Sequence, residues 1–260
     1  MGKIINKHKL LWAKKEFIWA TMSSLFLFGL SLVAAYYSNY YTTLVAGASV
    51  RDVILDNLPP MNMNFVFTDG ALIFLLTILA VIIFYKPASI PFVIKASALF
   101  IIIRSIFITL THFGPPNEMS YIDPGSLLYK FSSGDDLFFS GHTGFPFLMA
   151  LIFWDNKYLR YLLLSVTLIA AVAVLLGHLH YSIDVLAAPF ITFGIFTIAK
   201  WVRVIKIDLI IINSALALRR HAFFTKPLNG CSLRIISFLL DNRIYSSHKI
   251  IEILVDNKQK

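Results

Sequence analysis

Charge is what this sequence has least of. Charged residues fill 14% of its 260 positions, where soluble domains carry roughly 25%. Hydrophobic residues make up 58% and the mean hydropathy is +0.74. A water-facing globule is excluded, and the balance is that of an all-α, polytopic membrane protein. Cysteine is nearly absent. The single Cys231 rules out an intramolecular disulfide and a thiolate metal site. Acidic residues are scarce as well, 14 against 23 Lys and Arg, a net charge of +9. That surplus does not point to a nucleic-acid partner, because it is gathered at the two ends of the chain. Lys3, Lys7, Lys9, Lys14 and Lys15 face only Glu16, and from Lys200 onward eleven Lys and Arg face Asp208, Asp241, Glu252 and Asp256. Basic ends beside apolar runs set topology or touch anionic lipid.

The apolar runs are long. Phe17 to Tyr37 has no charge and covers a bilayer core of ~30 Å. It exceeds the apolar stretch of about 7–15 residues in a signal peptide. The small-residue site Ala46-Gly47-Ala48 lies well beyond it, so a retained anchor is expected. Five more spans follow, about Phe65 to Tyr85, Ile90 to Thr111, Leu137 to Trp154, Leu159 to Gly177 and Ile183 to Ala199. Leu58-Pro59-Pro60, Lys86-Pro87 and Gly114-Pro115-Pro116 punctuate them. The expected organisation is a basic N-terminus over 1–16, a six-span membrane domain over 17–201 and a basic tail over 202–260. In the tail, Ser232 to Asp241 and Tyr245 to Asp256 have rough helical periodicity, and Ile207 to Leu218 is too short to span.

Six spans put both termini on one face with Lys86, Lys157 and Arg160. The other face receives 39–64, 113–138 and 178–182, which are acidic overall. The bias of Lys and Arg toward the cytoplasm then places the termini inside. On that map His142, His180 and Asp184 lie at the non-cytoplasmic ends of their spans, and Arg104 lies about two turns below such an end. Ionisable groups at these depths are costly and read as functional.

Two readings stand for each group. His180 and Asp184, four apart, share one face if the segment is helical. Either Asp184 fixes the His180 tautomer and makes its other nitrogen a nucleophile or base, or it only complements the helix dipole. Ser140-Gly141-His142-Thr143 opens a helix. It is either an anion cradle of backbone N–H groups and hydroxyls or a plain Ser140 N-cap. Arg104 either pairs with Asp69 or Asp136 or clamps a phosphate. His178-Leu179-His180 with Asp184 has the composition of a metal site but shares a face only in a strand. No metal is expected.

Ser140-Gly141-His142 and His180-x-x-x-Asp184 resemble the last two signatures of the type-2 phosphatidic acid phosphatase superfamily. They are closer to those of its sphingomyelin synthase branch. That branch has Cys-Gly-Asp, three residues, then Ser-Gly-His-Thr. Asp136 matches its Asp, while Gly134 and Asp135 replace its Cys and Gly. Its last motif is matched by His180-Tyr181-Ser182-Ile183-Asp184-Val185. Leu58-Pro59-Pro60 and Arg104-Ser105-Ile106-Phe107 are weaker echoes, and the likeness covers roughly 15–200. The phosphatases' Ser-Arg before the final His is replaced by Ala173-Val174. Their Lys-x6-Arg-Pro is missing, since Lys95 and Arg104 are nine apart.

The resemblance implies transfer of a phospho-headgroup from a glycerophospholipid through a covalent histidine. Its catalytic groups would be His180, Asp184 and His142, with Arg104, Asp136, Ser140, Gly141 and Thr143 on phosphate or substrate. It implies no cofactor or metal, a catalytic site at the outer leaflet, and a lipid alcohol such as ceramide, or else water, as acceptor. A non-catalytic membrane protein or transporter keeping the fold is the other class. Lys-, Ile-, Asn- and Phe-rich usage with short loops favours a bacterial inner membrane over a Golgi or plasma membrane.

Overall fold

The structure, a computed structural model, describes residues 2–116, 119 and 137–225, with backbone alone at Lys3 and 204–225. The described residues are helical and contain no strand. Helix α1 is Gly2–Trp12 and α2 is Lys15–Val45. Helix α3, Val66–Tyr85, is α-helical over Ala71–Ala80, with wider π turns at Val66–Gly70 and Val81–Tyr85. Then come α4, Ile90–Leu110, α5, Gly141–Ile152, α6, Lys157–Leu176, and α7, Ser182–Thr225. The chain divides into two compact units, Met1–Trp201 and Val202–Lys260.

Five helices are long and apolar enough to cross a membrane: Lys15–Val45, Val66–Tyr85, Pro87–Leu110, Lys157–Leu176 and Ser182–Arg203. They turn large apolar side chains outward, among them Phe26, Leu76, Leu168 and Phe190. Water would not tolerate so continuous an apolar surface, and lipid would.

The fourth expected span differs. Its helix begins at Gly141, not Leu137, and has 12 residues, about 18 Å of rise against a ~30 Å core. The missing turn is pinned as irregular chain by aromatic packing. Phe138 stacks on Phe107 at 5.1 Å, and Phe139 meets Phe100 edge-on at 5.4 Å. Pro146 sits inside α5 and withdraws a helical donor from the His142 carbonyl. Short as it is, α5 joins the same two ends as its neighbours. Ser140 N–H donates to Asp184 O at 3.1 Å, and Asn156 Nδ2 donates to Tyr85 Oη at 2.8 Å beyond its other end.

Two other boundaries move. Helix α2, the first expected span, runs on through Val45, so 39–45 is not loop. Its polar residues are satisfied within the bundle: Ser38 Oγ bonds Ser105 O and Thr109 Oγ1, both at 2.8 Å, and Thr42 and Thr43 bond Asn39 O. Helix α7 continues to Thr225, so Ile207 to Leu218 is not a separate segment. The expected tail helices, Ser232 to Asp241 and Tyr245 to Asp256, lie outside the described residues.

Helices α2 and α4 meet along small hydroxyl residues. Thr21, Ser24, Ser31, Ser38 and Thr42 are all buried, Ser24 donating to Pro91 O at 2.9 Å. In lipid there is little hydrophobic drive between helices, so close backbone approach and such bonds hold them. The core behind α4 is built from Phe100, Phe139, Leu148, Met149, Leu163 and Ile195. At the end carrying Lys86, Lys157 and Arg160, cations lie over Tyr85, Tyr158, Trp154 and Tyr161. That belt of amphipathic rings suits a membrane–water boundary.

The seam between α2 and α4 carries a test. Ser38→Leu should wedge the helices apart and cost about 1–3 kcal/mol of stability. Ser23→Leu, on the exposed side of α2, should stay within about 0.5 kcal/mol. Thermal unfolding in detergent compares the two, and equal losses would contradict the packing described.

Candidate active site

Two stretches 40 residues apart in sequence meet in space because two helices begin at the same place. Ser140 is the N-cap of α5, with extended backbone, and its Oγ accepts the Thr143 N–H at 3.4 Å. Ser140 is therefore a cap. The Ser140 N–H reaches across to the Asp184 carbonyl in the first turn of α7, so the two helix starts are bonded to one another.

His180 lies two residues before α7, not on it, and Asp184 in the first turn of that helix reaches back to it. His180 Nδ1 lies 3.3 Å from Asp184 Oδ2, and the side chains are 4% and 0% exposed. The same oxygen accepts the Tyr181 N–H at 3.3 Å. Asp184 thereby reaches back to the residue that caps its own helix, as the acidic residue of a capping box does. With Nδ1 facing the carboxylate, Nε2 is the nitrogen left for chemistry. Asp184 Oδ1 is buried with no partner among the described residues.

His142, on the first turn of α5, stacks on Phe67 of α3, ring centroids 3.9 Å apart. Phe67 also packs in a small cluster with Val174, Leu179 and Val185, residues that bracket His180. The two histidines therefore share one neighbourhood. Arg104 comes from α4, and its Nε donates to Phe139 O at 3.2 Å. The guanidinium lies against the start of α5, so closely that a Cβ on Gly141 would stand 3.2 Å from Nε. Glycine here lets cation and helix N-terminus converge, the arrangement that holds an anion.

Arg104, Gly141 and His142 line a cavity of about 870 Å³ between α2, α3, α4, α5 and α6. Its wall along α2 extends from Phe28 to Leu44, roughly 24 Å of helix. Away from the histidine it is apolar, with Phe28, Leu32, Phe74 and Leu75. Asn39, Tyr40 and Thr43 also line it. Ser140 and Thr143 are 0% and 2% exposed and do not line this cavity, nor does His180. Asp136 lies outside the described residues. Asp69 accepts from Thr68 Oγ1 at 3.3 Å. His178 turns away from any shared ligand set. Its backbone is left-handed, φ 51°, at the end of α6, and its Nε2 lies 2.9 Å from Leu58 O.

Sequence reasoning did not single out Asp52, and it met Tyr181 only as a member of the His180–Val185 motif. They lace the connecting segments over the site. Tyr181 Oη donates to Gly114 O at 2.8 Å and accepts the Val50 N–H at 2.9 Å. Burial, outweighing the Val50 N–H and aided by the charges of Asp184 and Asp52, pushes this phenol up, so it stays a donor. Gly47 and Gly114 let two backbone segments cross. Gly47 N–H bonds His112 O, Gly114 N–H bonds Ala48 O, and a Cβ on Gly114 would collide with Gly47 O. Asp52, 8% exposed, accepts the N–H groups of Ile54 and Leu55 on one oxygen at 2.9 and 3.1 Å. Its other oxygen accepts that of Ser182 at 2.7 Å. Burial pushes its carboxyl up, but the Ser182, Leu55 and Ile54 donors outweigh that and hold it below its ordinary value. An Asx turn before Leu55 was readable locally; the Ser182 bond, across 130 positions, was not.

Residues 134–202 match the family model for the PAP2 superfamily C-terminal region. The match contains both helix starts and supports the type-2 phosphatidic acid phosphatase superfamily, whose members are phosphatases and phosphotransferases. Comparison with curated proteins and with solved structures returns no match.

Asp52 gives this region a pH dependence of definite sign. A folded pKa held below the ordinary 3.8 means that its stabilising contribution is present above that value. It is lost as pH falls through the depressed folded value. Hydrogen exchange at the Ser182 amide should stay slow from neutral pH down to about pH 4 and quicken below it. Protection unchanged through that lower range would contradict the assignment.

Proposed function

We propose that the chain is a membrane phosphotransferase that moves a phospho-headgroup from a glycerophospholipid to a lipid alcohol, with His180 as the covalent carrier. The observation that carries this reading is the buried His180–Asp184 pair bonded to the helix start that bears His142. Arg104 stands at the mouth of that helix, and an apolar cavity leads away from it. A site for an inorganic or sugar phosphate would not need a wall of Phe28, Leu32, Phe74 and Leu75. A lipid tail would use it. The same wall keeps water scarce, which favours a lipid hydroxyl over water as acceptor.

The chemistry follows from the groups present. The phosphate enters with its non-bridging oxygens toward Arg104 and the first backbone N–H groups of α5, where charge builds in the transition state. His180 is 3% exposed, so the His142–Phe67 stack opens to admit the headgroup. Nε2 of His180 attacks phosphorus, and the bond from phosphorus to the diacylglycerol oxygen breaks. His142 gives its proton to that oxygen. Asp184 keeps its hydrogen bond to Nδ1 and stabilises the charge that the ring acquires. Neutral His142 then takes the proton of the acceptor hydroxyl. The acceptor oxygen bonds to phosphorus, the P–N bond breaks, and both histidines return to their starting states. Ser140 serves as the cap that sets the direction of α5. Thr143 gives its backbone N–H to that cap, while its Oγ1 is buried without a partner among the described residues. The basic end faces the cytoplasm and the site the opposite leaflet, supported by the charge bias of the loops. A bacterial inner membrane fits the residue usage.

The test is turnover in proteoliposomes with headgroup-labelled phospholipid, with and without ceramide, resolved by thin-layer chromatography or mass spectrometry. Headgroup on a new lipid is the expected result. Release of free phosphate would mean a phosphatase, and no turnover of any phospholipid a non-catalytic protein. In that assay His180→Ala should lose at least ~10³-fold in rate. Gly141→Ala, which crowds Arg104, should raise KM several-fold.

A further inference from the structure

The first turn of α7 has more backbone donors than its own residues can answer. Tyr181 is the cap, and unlike Ser, Thr or Asp it has no short side-chain oxygen to bend onto them. The Tyr181 N–H is taken by Asp184, and the Ser182 N–H by Asp52, which comes from a segment 130 positions earlier. At 2.7 Å the second bond is the shorter. Asp52 is itself fixed, its other oxygen held by the Ile54 and Leu55 N–H groups that open the turn Leu55–Asn57. Asp184, two residues beyond Ser182, has a buried oxygen with no partner among the described residues. With Asp52 gone, the Ser182 N–H would be an orphan donor beside that carboxylate. Turning to satisfy it would rotate Asp184 off His180 Nδ1.

We propose that Asp52 is a positioning residue of the His180–Asp184 pair: it caps α7 from outside the helix and so leaves Asp184 to hold His180. The effect on rate rests on the phosphotransfer reading above, whereas the effect on the histidine ring does not. Asp52 touches neither ring nor phosphate. It acts through the Ser182 backbone, so its loss should appear in kcat and not in KM.

A double-mutant cycle on the full chain in proteoliposomes tests this. Asp52→Asn should lower kcat about tenfold, the equivalent of ~1.4 kcal/mol on the barrier, with KM within about twofold of wild type. Asp52→Asn combined with Asp184→Asn should be no slower than Asp184→Asn alone, because both act through one carboxylate. A wild-type kcat for Asp52→Asn, or a double loss equal to the product of the single losses, would overturn the proposal. Ser182→Pro removes the N–H itself at a helix position where proline is favoured. In that background Asp52→Asn should change kcat by less than about twofold, and a tenfold loss there would also overturn it.

A second readout does not depend on turnover. In ¹⁵N-histidine-labelled protein, with the His180 signal identified by its loss in His180→Gln, wild type should show the Nδ1–H tautomer and Asp52→Asn a mixture. An unchanged tautomer would overturn the role of Asp52. A changed tautomer in a protein that turns over no phospholipid would leave Asp52 its role and remove the phosphotransfer reading instead.

Discussion

The structure around the site depends on one buried carboxylate. Asp184 has a fully buried side chain at the start of a helix that crosses into lipid. Removing a carboxylate from water costs several kcal/mol unless it is answered by hydrogen bonds. The answers to it define the site. One oxygen takes the His180 ring and the Tyr181 N–H, and its carbonyl takes the Ser140 N–H that starts the next helix. The N-terminal end of the α7 dipole supplies a further favourable field. Asp184 is thus a cap, a ring partner and, through its backbone, the link between two motifs.

The surrounding helices make that link worth having. Between α2 and α4 a seam of serine and threonine permits close approach, and beside that seam α2 and α4 line an apolar cavity with α3, α5 and α6. Arg104, Gly141 and His142 form part of its wall. An amphiphile in it would keep its tail among phenylalanine and leucine and present its phosphate to a guanidinium and a helix N-terminus. Over the polar end, Tyr181 and Asp52 tie the segments after α2, after α4 and before α7 into one cover. Fold and site are therefore held by the same few bonds.

Much of this was legible in the sequence, and the limits are physical. Long uncharged runs must be helices in lipid, so α2, α3, α4, α6 and the start of α7 could be read from hydropathy alone. The pairing of His180 with Asp184 was legible, but not for the reason read: His180 precedes α7, and Asp184 reaches back to it from the helix's first turn. Ser140 was legible as a cap, a local property of a helix start. Hydropathy misjudged α5, because Leu137, Phe138 and Phe139 are apolar yet buried as irregular chain by stacking on α4, a tertiary effect. It also ended α2 too early at Ser38 and Asn39, whose polarity is answered by α4 and by their own helix. Asp52 was seen only as one charge in a polar loop. Its partner lies 130 positions away, and no periodicity joins them. Phe67 was one apolar residue among many until the fold set it against His142.

The central claim is that His180 carries the phospho-headgroup as a covalent intermediate. The most direct measurement is a single turnover with labelled phospholipid and no acceptor, quenched in base, followed by mass spectrometry of peptides spanning His180. The account predicts an acid-labile, base-stable adduct of phosphate plus headgroup on His180, absent in His180→Ala and discharged when a lipid alcohol is added. Turnover that proceeds with no adduct on His180, or with the label on another residue, would contradict it.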